Sequence, residues 1–320
     1  MHTPTFIQQH HINDEALARE AAQGLCAAAA HVSPKFFYDA LGSRLFDAIT
    51  ELPEYYPTRT EAAIFAAHGA AIADAALGHT GNAPCLVDLG AGNCAKAARL
   101  FGLLRPSRYV AVDISVDFLR DALGALQRAH PGLPMVGLGL DFSSRLQLPP
   151  GLNEGPALVF YPGSSIGNFE PAAALRLLRE ARGVAGGGAL LVGVDLHKPA
   201  AVLQPAYDDE LGVTAAFNLN LLSHLNRLLG ANFRPRDWHH VAFFNEAQSR
   251  VELHLEARAP ITVFWPGGER SFVAGERIHT ENSAKWRPDA FDALLREAGF
   301  TSLRRWTDAQ GWFAMFLAAG

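Results

Sequence analysis

LVDLGAGNCAKAARLFGLLRPSRYVAVDIS, residues Leu86–Ser115, is the stretch whose reading decides the fold. Its opening apolar run, Cys85–Leu89, has the length and composition of a buried strand. Gly90 and Gly92 follow, then a helical stretch from about Asn93 to Leu104, then a second strand over Arg108–Ile114 that carries Asp113 near its end. Strand, glycine turn, helix and strand make a βαβ unit. The glycines let backbone pass where a Cβ would collide with a ligand, and the helix N-terminus offers free N–H groups. Asp113 lies about 20 residues beyond the glycines, where the second strand delivers a carboxylate to a ribose. The stretch is therefore read as a nucleoside-binding site.

Gly90-x-Gly92-x-x-Ala95 also fits the loose dinucleotide fingerprint, so the spacing alone does not choose the nucleoside. Two acids do. Asp88 completes Asp-x-Gly-x-Gly, a pattern typical of S-adenosylmethionine (SAM) sites. Asp141-Phe142 ends the third apolar run, Met135–Leu140, and places an acceptor for an adenine amino group beside a ring that can stack. SAM carries a sulfonium and no pyrophosphate, so a pocket of carboxylates suits it better than it suits NAD.

A chain of 320 residues, 49% hydrophobic and 18% charged, has ample material for a core and is long for one domain. Its net charge of −5 and the lack of a basic, aromatic-rich patch argue against nucleic acid and anionic membrane as partners. No apolar run approaches membrane-spanning length, and the first 20 residues hold no signal-peptide core, so a cytoplasmic protein is expected. Cys26, Cys85 and Cys94 form no CxxC pair, and the 13 histidines, His10-His11 and His239-His240 among them, show no HxxxH or HExxH. No metal site is expected. The histidines read as solvated or capping groups, and Cys94 as a small residue filling the turn.

Residues 1–12 are expected to be frayed and 14–30 helical; beyond them, helical segments alternate with breaks at Pro34, Gly42, Pro53 and Pro57. The YYPTR turn can hold a tyrosine hydroxyl rigidly over a pocket. After the opening βαβ unit come a helix over Val116–Ala129 capped by Ser115, a strand over Met135–Phe142 and a strand over Ala157–Tyr161. A helix over Pro171–Ala185 and a strand over Ala189–Leu196 complete the series. This alternation predicts a doubly wound parallel sheet, the first three strands ordered 3-2-1 and the later ones beyond strand one. From Lys198 the rhythm changes: 201–212 and 213–231 read as helices, and 241–268 as an antiparallel meander. Pro288–Ala298 is a helix again, and 302–308 with 312–319 form a terminal antiparallel pair, a mark of SAM-methyltransferase sheets.

Two further clusters carry chemistry. Phe160–Phe169 follows the fourth strand, where Gly163 and Gly167 allow close backbone approach and Asn168 either bonds an amine or caps the next helix. In His279–Trp286, Glu281 and Ser283 stand at i, i+2 and share one face if the segment is extended. An acid and a hydroxyl on one wall suit a small ring that is cationic or bears an N–H.

With these residues assembled, the chain resembles the L-histidine Nα-methyltransferase family of ergothioneine biosynthesis, from about Lys35 to its C-terminal end. The resemblance rests on FYDALGSRLFDAITELPEYYPTRTE, the glycine loop, GSSIGN, AYDDELGVTAAFNLNLLSHLNRLLGA, SRVELHL and GERIHTENSAKW. It implies a Rossmann-like class I SAM-methyltransferase core over 60–197 and 285–320, plus an α+β substrate-recognition domain over 13–59 and 198–284. It implies SAM as methyl donor, contacted by Tyr56, Gly90, Lys96, Asp113, Asp141 and Phe142, beside Asp88 and Gly92 from the motif. Tyr38 and Tyr207 resemble the hydroxyls that hold a substrate carboxylate, and Asn168, with Gly163 nearby, the partner of the α-amino group. Glu281 and Ser283 resemble the imidazole readers, with Tyr56 facing the same ring. One departure is Leu253, where the family often has methionine.

The implied reaction is Nα-trimethylation of L-histidine to hercynine, with Asn168 and Tyr38 as catalytic residues and a monomer as the expected state. The alternatives are a same-family enzyme for another amino acid such as tryptophan, a non-catalytic SAM-binding protein, and an NAD-dependent oxidoreductase.

Overall fold

The computed structural model describes residues 2–9, 14–114 and 116–320. In chain order the helices are α1 (Asp14–Cys26), α2 (Ala40–Thr50), α3 (Tyr56–Thr80), α4 (Ala95–Leu104), α5 (Val116–Ala129), α6 (Pro171–Ala185), α7 (Ala200–Leu203), α8 (Val213–Leu229) and α9 (Pro288–Glu297). The strands are β1 (Thr5–Gln8), β2 (Cys85–Leu89), β3 (Arg108–Asp113), β4 (Met135–Gly139), β5 (Ala157–Tyr161), β6 (Ala189–Asp195), β7 (Trp238–Asn245), β8 (Arg250–Ala257), β9 (Ile261–Trp265), β10 (Gly268–Phe272), β11 (Arg277–Ala284), β12 (Ser302–Thr307) and β13 (Phe313–Ala319). Chain contacts divide the molecule into two compact units, one of 57–197 and 285–320 with the N-terminal strand, the other of the described residues of 11–56 with 198–284.

The first unit is built on a sheet ordered β1-β4-β3-β2-β5-β6-β13-β12. β13 runs antiparallel between β6 and β12, and the pairs from β1 to β6 are parallel. This is the 3-2-1 order with a terminal antiparallel pair that the strand–helix alternation predicts. Strand side chains alternate between two cores, as the period of two requires. Val87, Leu89, Val110 and Val112 pack with residues of α6 and α9, while Leu86, Tyr109 and Ala111 pack with residues of α3, α4 and α5. α4 buries Ala97, Leu100, Phe101 and Leu104 at helical spacing and ends at Arg105, left-handed at φ 45, before Pro106.

Three expectations need correction here. Residues 1–12 are not simply frayed: Thr5–Gln8 pairs with β4 from Thr5↔Val136 to Gln8↔Gly139. Gly137 is the reason, because a Cβ there would lie 2.6 Å from the Phe6 ring. The third strand stops at Gly139, since Asp141 gathers the Ser143 N–H and the Ser143 and Ser144 hydroxyls into a turn. Gly42 does not break a helix; it lies in the first turn of α2, donating its N–H to the Asp39 cap at 2.7 Å. Ser115, expected to cap α5, lies outside the described residues.

In the second unit, β11-β8-β7 form one sheet and β10-β9 a separate hairpin. The expected meander is thus corrected: β8 takes β11 as its second neighbour, not β9. Pro260 removes a donor just before β9, and the extended His279–Ser283 segment occupies the free edge of β8 instead. The helix expected over 201–212 is α7 and one 3-10 turn, Gln204–Ala206, because Pro205 cannot continue the ladder. Asp209 then accepts from Val213 N–H at 2.9 Å and Thr214 N–H at 2.8 Å, capping α8 from outside.

Candidate functional site

The carboxyl ends of the parallel strands bring together into one cradle most of the sequence-predicted cofactor residues of the first unit, Gly90, Gly92, Asp113 and Phe142 among them; Tyr56 lies in the second unit. Gly90, Gly92 and Cys94 have φ of 68, 51 and 60, a run of left-handed backbone that lifts the chain off β2. Gly90 and Ala91 donate to the Val112 carbonyl, and Gly92 N–H donates to Asp113 Oδ2 at 2.9 Å, so the loop is stitched to the end of β3. A Cβ at Gly90 would meet the edge of Phe142 at 3.8 Å. Phe142 in turn packs edge-on to Tyr161, ring centroids 5.8 Å apart. Gly90, Gly92, Asp113 and Phe142 therefore line one groove, with Asp141 at its third-strand margin. Cys94 is buried beneath it, and burial pushes its thiol up to about 12, so it fills the turn as an inert group.

Asp88 is enclosed below the loop at 1% exposure. Its Oδ2 accepts from the Tyr109 hydroxyl at 2.7 Å, and its Oδ1 has no hydrogen-bond partner among the described residues. Burial pushes its carboxyl up to about 7, against the pull of the Tyr109 hydrogen bond. An acid enclosed in this way and short of one donor fits a cationic ligand in the groove above it.

Sequence reasoning missed the residue that joins the cradle's two halves. Glu61, on α3 and 2% exposed, accepts from Gly163 N–H at 2.7 Å and pairs with Lys96 Nζ at 2.7 Å. Gly163 adopts φ 76 and Ser164 φ 61, and Ser164 Oγ accepts from Asp195 N–H at 2.8 Å. Asp195 forms a fully buried pair with Lys285 at 2.7 Å. A lone acid in an alanine-rich helix gave no signal by which to single Glu61 out. Asn168 ends a 3-10 turn, Ser165–Asn168, whereas the residue preceding α6 is Glu170, so Asn168 is not the cap of that helix.

In the second unit, aromatic rings form a chain. Tyr38 packs on Phe46 and Phe217, Phe46 on Tyr55, and Tyr55 on Tyr207, with centroids 5.8 to 6.3 Å apart. Tyr207 Oη and Ser283 Oγ share a hydrogen bond of 2.7 Å. Glu281 and Ser283 lie on β11, past a register shift between His279 and Glu281, facing Leu253 and Val251 of β8. Leu253, the departure from the family pattern, thus stands directly across from Glu281. Tyr56, 1% exposed, accepts from Lys198 Nζ at 2.9 Å. His240 is no solvated histidine: its ring bonds Asn218 and the Tyr207 carbonyl, and burial holds it below its ordinary value. That pair of bonds fixes the segment carrying Tyr207.

The first unit thus brings together an acid at the end of β3, a ring and glycines with positive φ; the second holds hydroxyls and a buried acid on β11 and its neighbours. Among the described residues no group of three or more His, Cys, Asp or Glu is arranged for a metal ion.

Known proteins resemble this chain over most of its length. The sequence model of a family described as histidine-specific methyltransferase, SAM-dependent, matches residues 17–320. The histidine N-alpha-methyltransferase of Mycolicibacterium smegmatis is 42% identical over 311 residues, 95% of each chain. That of Mycobacterium tuberculosis is 41% identical over 312 residues, again 95% of each. Ergothioneine biosynthesis protein 1 of Neurospora crassa is 29% identical over 84% of this chain and 31% of its own length. Among solved structures, the CcbJ methyltransferase of Streptomyces caelestis aligns with 86% of this chain and 95% of its own at 18% identity and a TM-score of 0.47.

Proposed function

The chain belongs to the SAM-dependent, histidine-specific methyltransferases, and from that premise we propose that it methylates the α-amino nitrogen of free L-histidine three times, giving hercynine. It is a SAM-dependent enzyme of histidine methylation, a step of ergothioneine biosynthesis. The finer assignment is carried by the Tyr207–Ser283 hydrogen bond. It ties a hydroxyl suited to a carboxylate to a hydroxyl suited to an imidazole, on the strand that also holds Glu281.

In this reading the first unit is the methyltransferase core. Asp113 holds the donor's ribose, Asp141 and Phe142 its adenine, and Lys96 reaches its tail side, with Tyr56 of the second unit as a further donor contact. Gly90 and Gly92 let the chain's own backbone approach it closely, and Asp88 lies beneath the loop. Substrate recognition draws on the second unit, where Tyr38 and Tyr207 hold the carboxylate and Glu281 and Ser283 read the two imidazole nitrogens with Tyr56 beside the ring; Asn168 with Gly163, in the first unit, orients the amine. SAM supplies a methyl group already activated on a sulfonium sulfur. Alignment is therefore the main task left to the protein, with nitrogen, carbon and sulfur in line. The amine must be neutral at each transfer; the Asn168 side-chain oxygen accepts an N–H in the first two, and at the third, where no N–H is left, the carboxylate and imidazole contacts keep the lone pair aimed. A strong base is unnecessary, because water takes the released proton. Among the described residues no helix is long and apolar enough to cross a membrane. A cytoplasmic monomer acting on a free amino acid is part of this proposal.

Incubation with SAM and a panel of free amino acids, followed by mass measurement, tests the assignment. Mono-, di- and trimethylated histidine are expected. Unaltered histidine, or a methylated tryptophan in its place, overturns it.

A further inference from the structure

Glu61 closes the FYDALGSRLFDAITELPEYYPTRTE stretch without a role of its own there, yet it is a buried, paired charge beside the donor cradle. Its side chain is 3% exposed while that of its partner Lys96 is 34% exposed, so the pair has one buried end and one open end. Gly163 N–H occupies the other carboxylate oxygen. Two glycines hold this geometry closed: a Cβ at Gly193 would lie 2.6 Å from Glu61 Oε1, and one at Gly163 would lie 2.8 Å from Lys96 Nζ. A buried carboxylate keeps its charge only when paired and hydrogen-bonded, and both oxygens here are. An ammonium has three protons, so Lys96 keeps two after satisfying Glu61.

We propose that Glu61 is a positioning residue of the donor site. It fixes Lys96 at the open end of the pair, so that the remaining protons of Lys96 meet the carboxylate of the donor's amino-acid tail, and it holds the Gly163 turn in the same geometry. Without it the Lys96 chain is free to swing, and ordering it on binding costs rotamer entropy. The inference rests on the reading that the glycine cradle takes SAM.

Calorimetric titration with two probes tests it. S-adenosylhomocysteine carries the tail; methylthioadenosine has the same nucleoside and sulfur without it. Glu61→Gln keeps an acceptor for Gly163 but turns an amide toward Lys96. It is expected to weaken S-adenosylhomocysteine at least tenfold and methylthioadenosine less than twofold. Glu61→Asp, with charge kept and reach shortened, is expected to show the same selective loss, which keeps the test alive if the first variant fails to fold. In a Lys96→Met background, Glu61→Gln is expected to cost no further affinity. Unchanged or tighter S-adenosylhomocysteine binding, equal losses for both probes, or additive effects in the double variant overturn the proposal. A wild-type protein that binds neither probe overturns the cradle reading itself.

Discussion

At the scale of single residues, discrimination falls to groups whose partners are costly to lose. Glu281 is 8% exposed, and an imidazole N–H is the donor we assign to it. Glu281→Ala should lower kcat/KM for histidine by about 5- to 150-fold, the equivalent of about 1–3 kcal/mol, with S-adenosylhomocysteine affinity within twofold. Steady-state kinetics beside calorimetry checks this, and undiminished histidine turnover refutes the role. Tyr207 is a milder case, since its hydroxyl bonds Ser283 and its ring packs on Tyr55. Tyr207→Phe keeps the ring and loses the bond, so KM for histidine should rise about 5- to 10-fold, as expected for a hydrogen bond worth about 1 kcal/mol. Glu281 and Ser283 were legible in the sequence from their i, i+2 spacing. Leu253 was legible only as an apolar position, because that it faces Glu281 follows from a strand pairing that no local pattern encodes.

At the scale of elements, α8 shows how a cap outside the helix replaces the usual one. Its first residue follows Gly212, which has no side chain to offer, and Asp209 reaches forward to both Val213 and Thr214. Burial alone raises the Asp209 carboxyl, but the hydrogen bonds from Thr214 and Val213 outweigh it and hold the acid below its ordinary value. A depressed carboxyl contributes stability that is present at neutral pH and lost as pH falls through the carboxylate range. Asp209→Ala should therefore cost about 1 kcal/mol at pH 7, a Tm lower by a few degrees, and much less near pH 3. Melting curves at the two pH values decide it; an equal loss at both refutes the charge-assisted cap. The sequence misled at this point because the run of 201–212 has helical composition, and one proline with one acid reassigns it.

At the scale of the whole molecule, the two large cores on either face of the parallel sheet make Asp88 an acid in an apolar layer. Its folded value of about 7 lies above its unfolded value near 3.8. Such a group contributes stability that is fully present below the unfolded value and lost as pH rises through the folded one. Asp88→Asn should thus gain stability relative to wild type between about pH 4 and 7, at no more than about 1.4 kcal/mol per pH unit, and hold that gain above pH 7. Thermal melts without ligand across that window check it, and a pH-independent difference refutes it. Donor choice is also a property of the whole unit: S-adenosylhomocysteine at 100 times its Kd should stabilise the fold by about 2.7 kcal/mol, and NAD at the same concentration should leave the melting temperature unchanged.

The sequence by itself determined the doubly wound sheet, its terminal antiparallel pair, the glycine loop and the acids at the strand ends, because each is written in local periodicity and short spacings. Only the tertiary structure decided that Thr5–Gln8 joins the sheet, that β11 and not β9 completes the second-unit sheet, and that Glu61 clasps Lys96 and the Gly163 turn. The physical reason is the same in each case. A strand edge is filled, or a buried charge is neutralised, by whichever complementary group the folded chain brings near, however far away it lies in sequence.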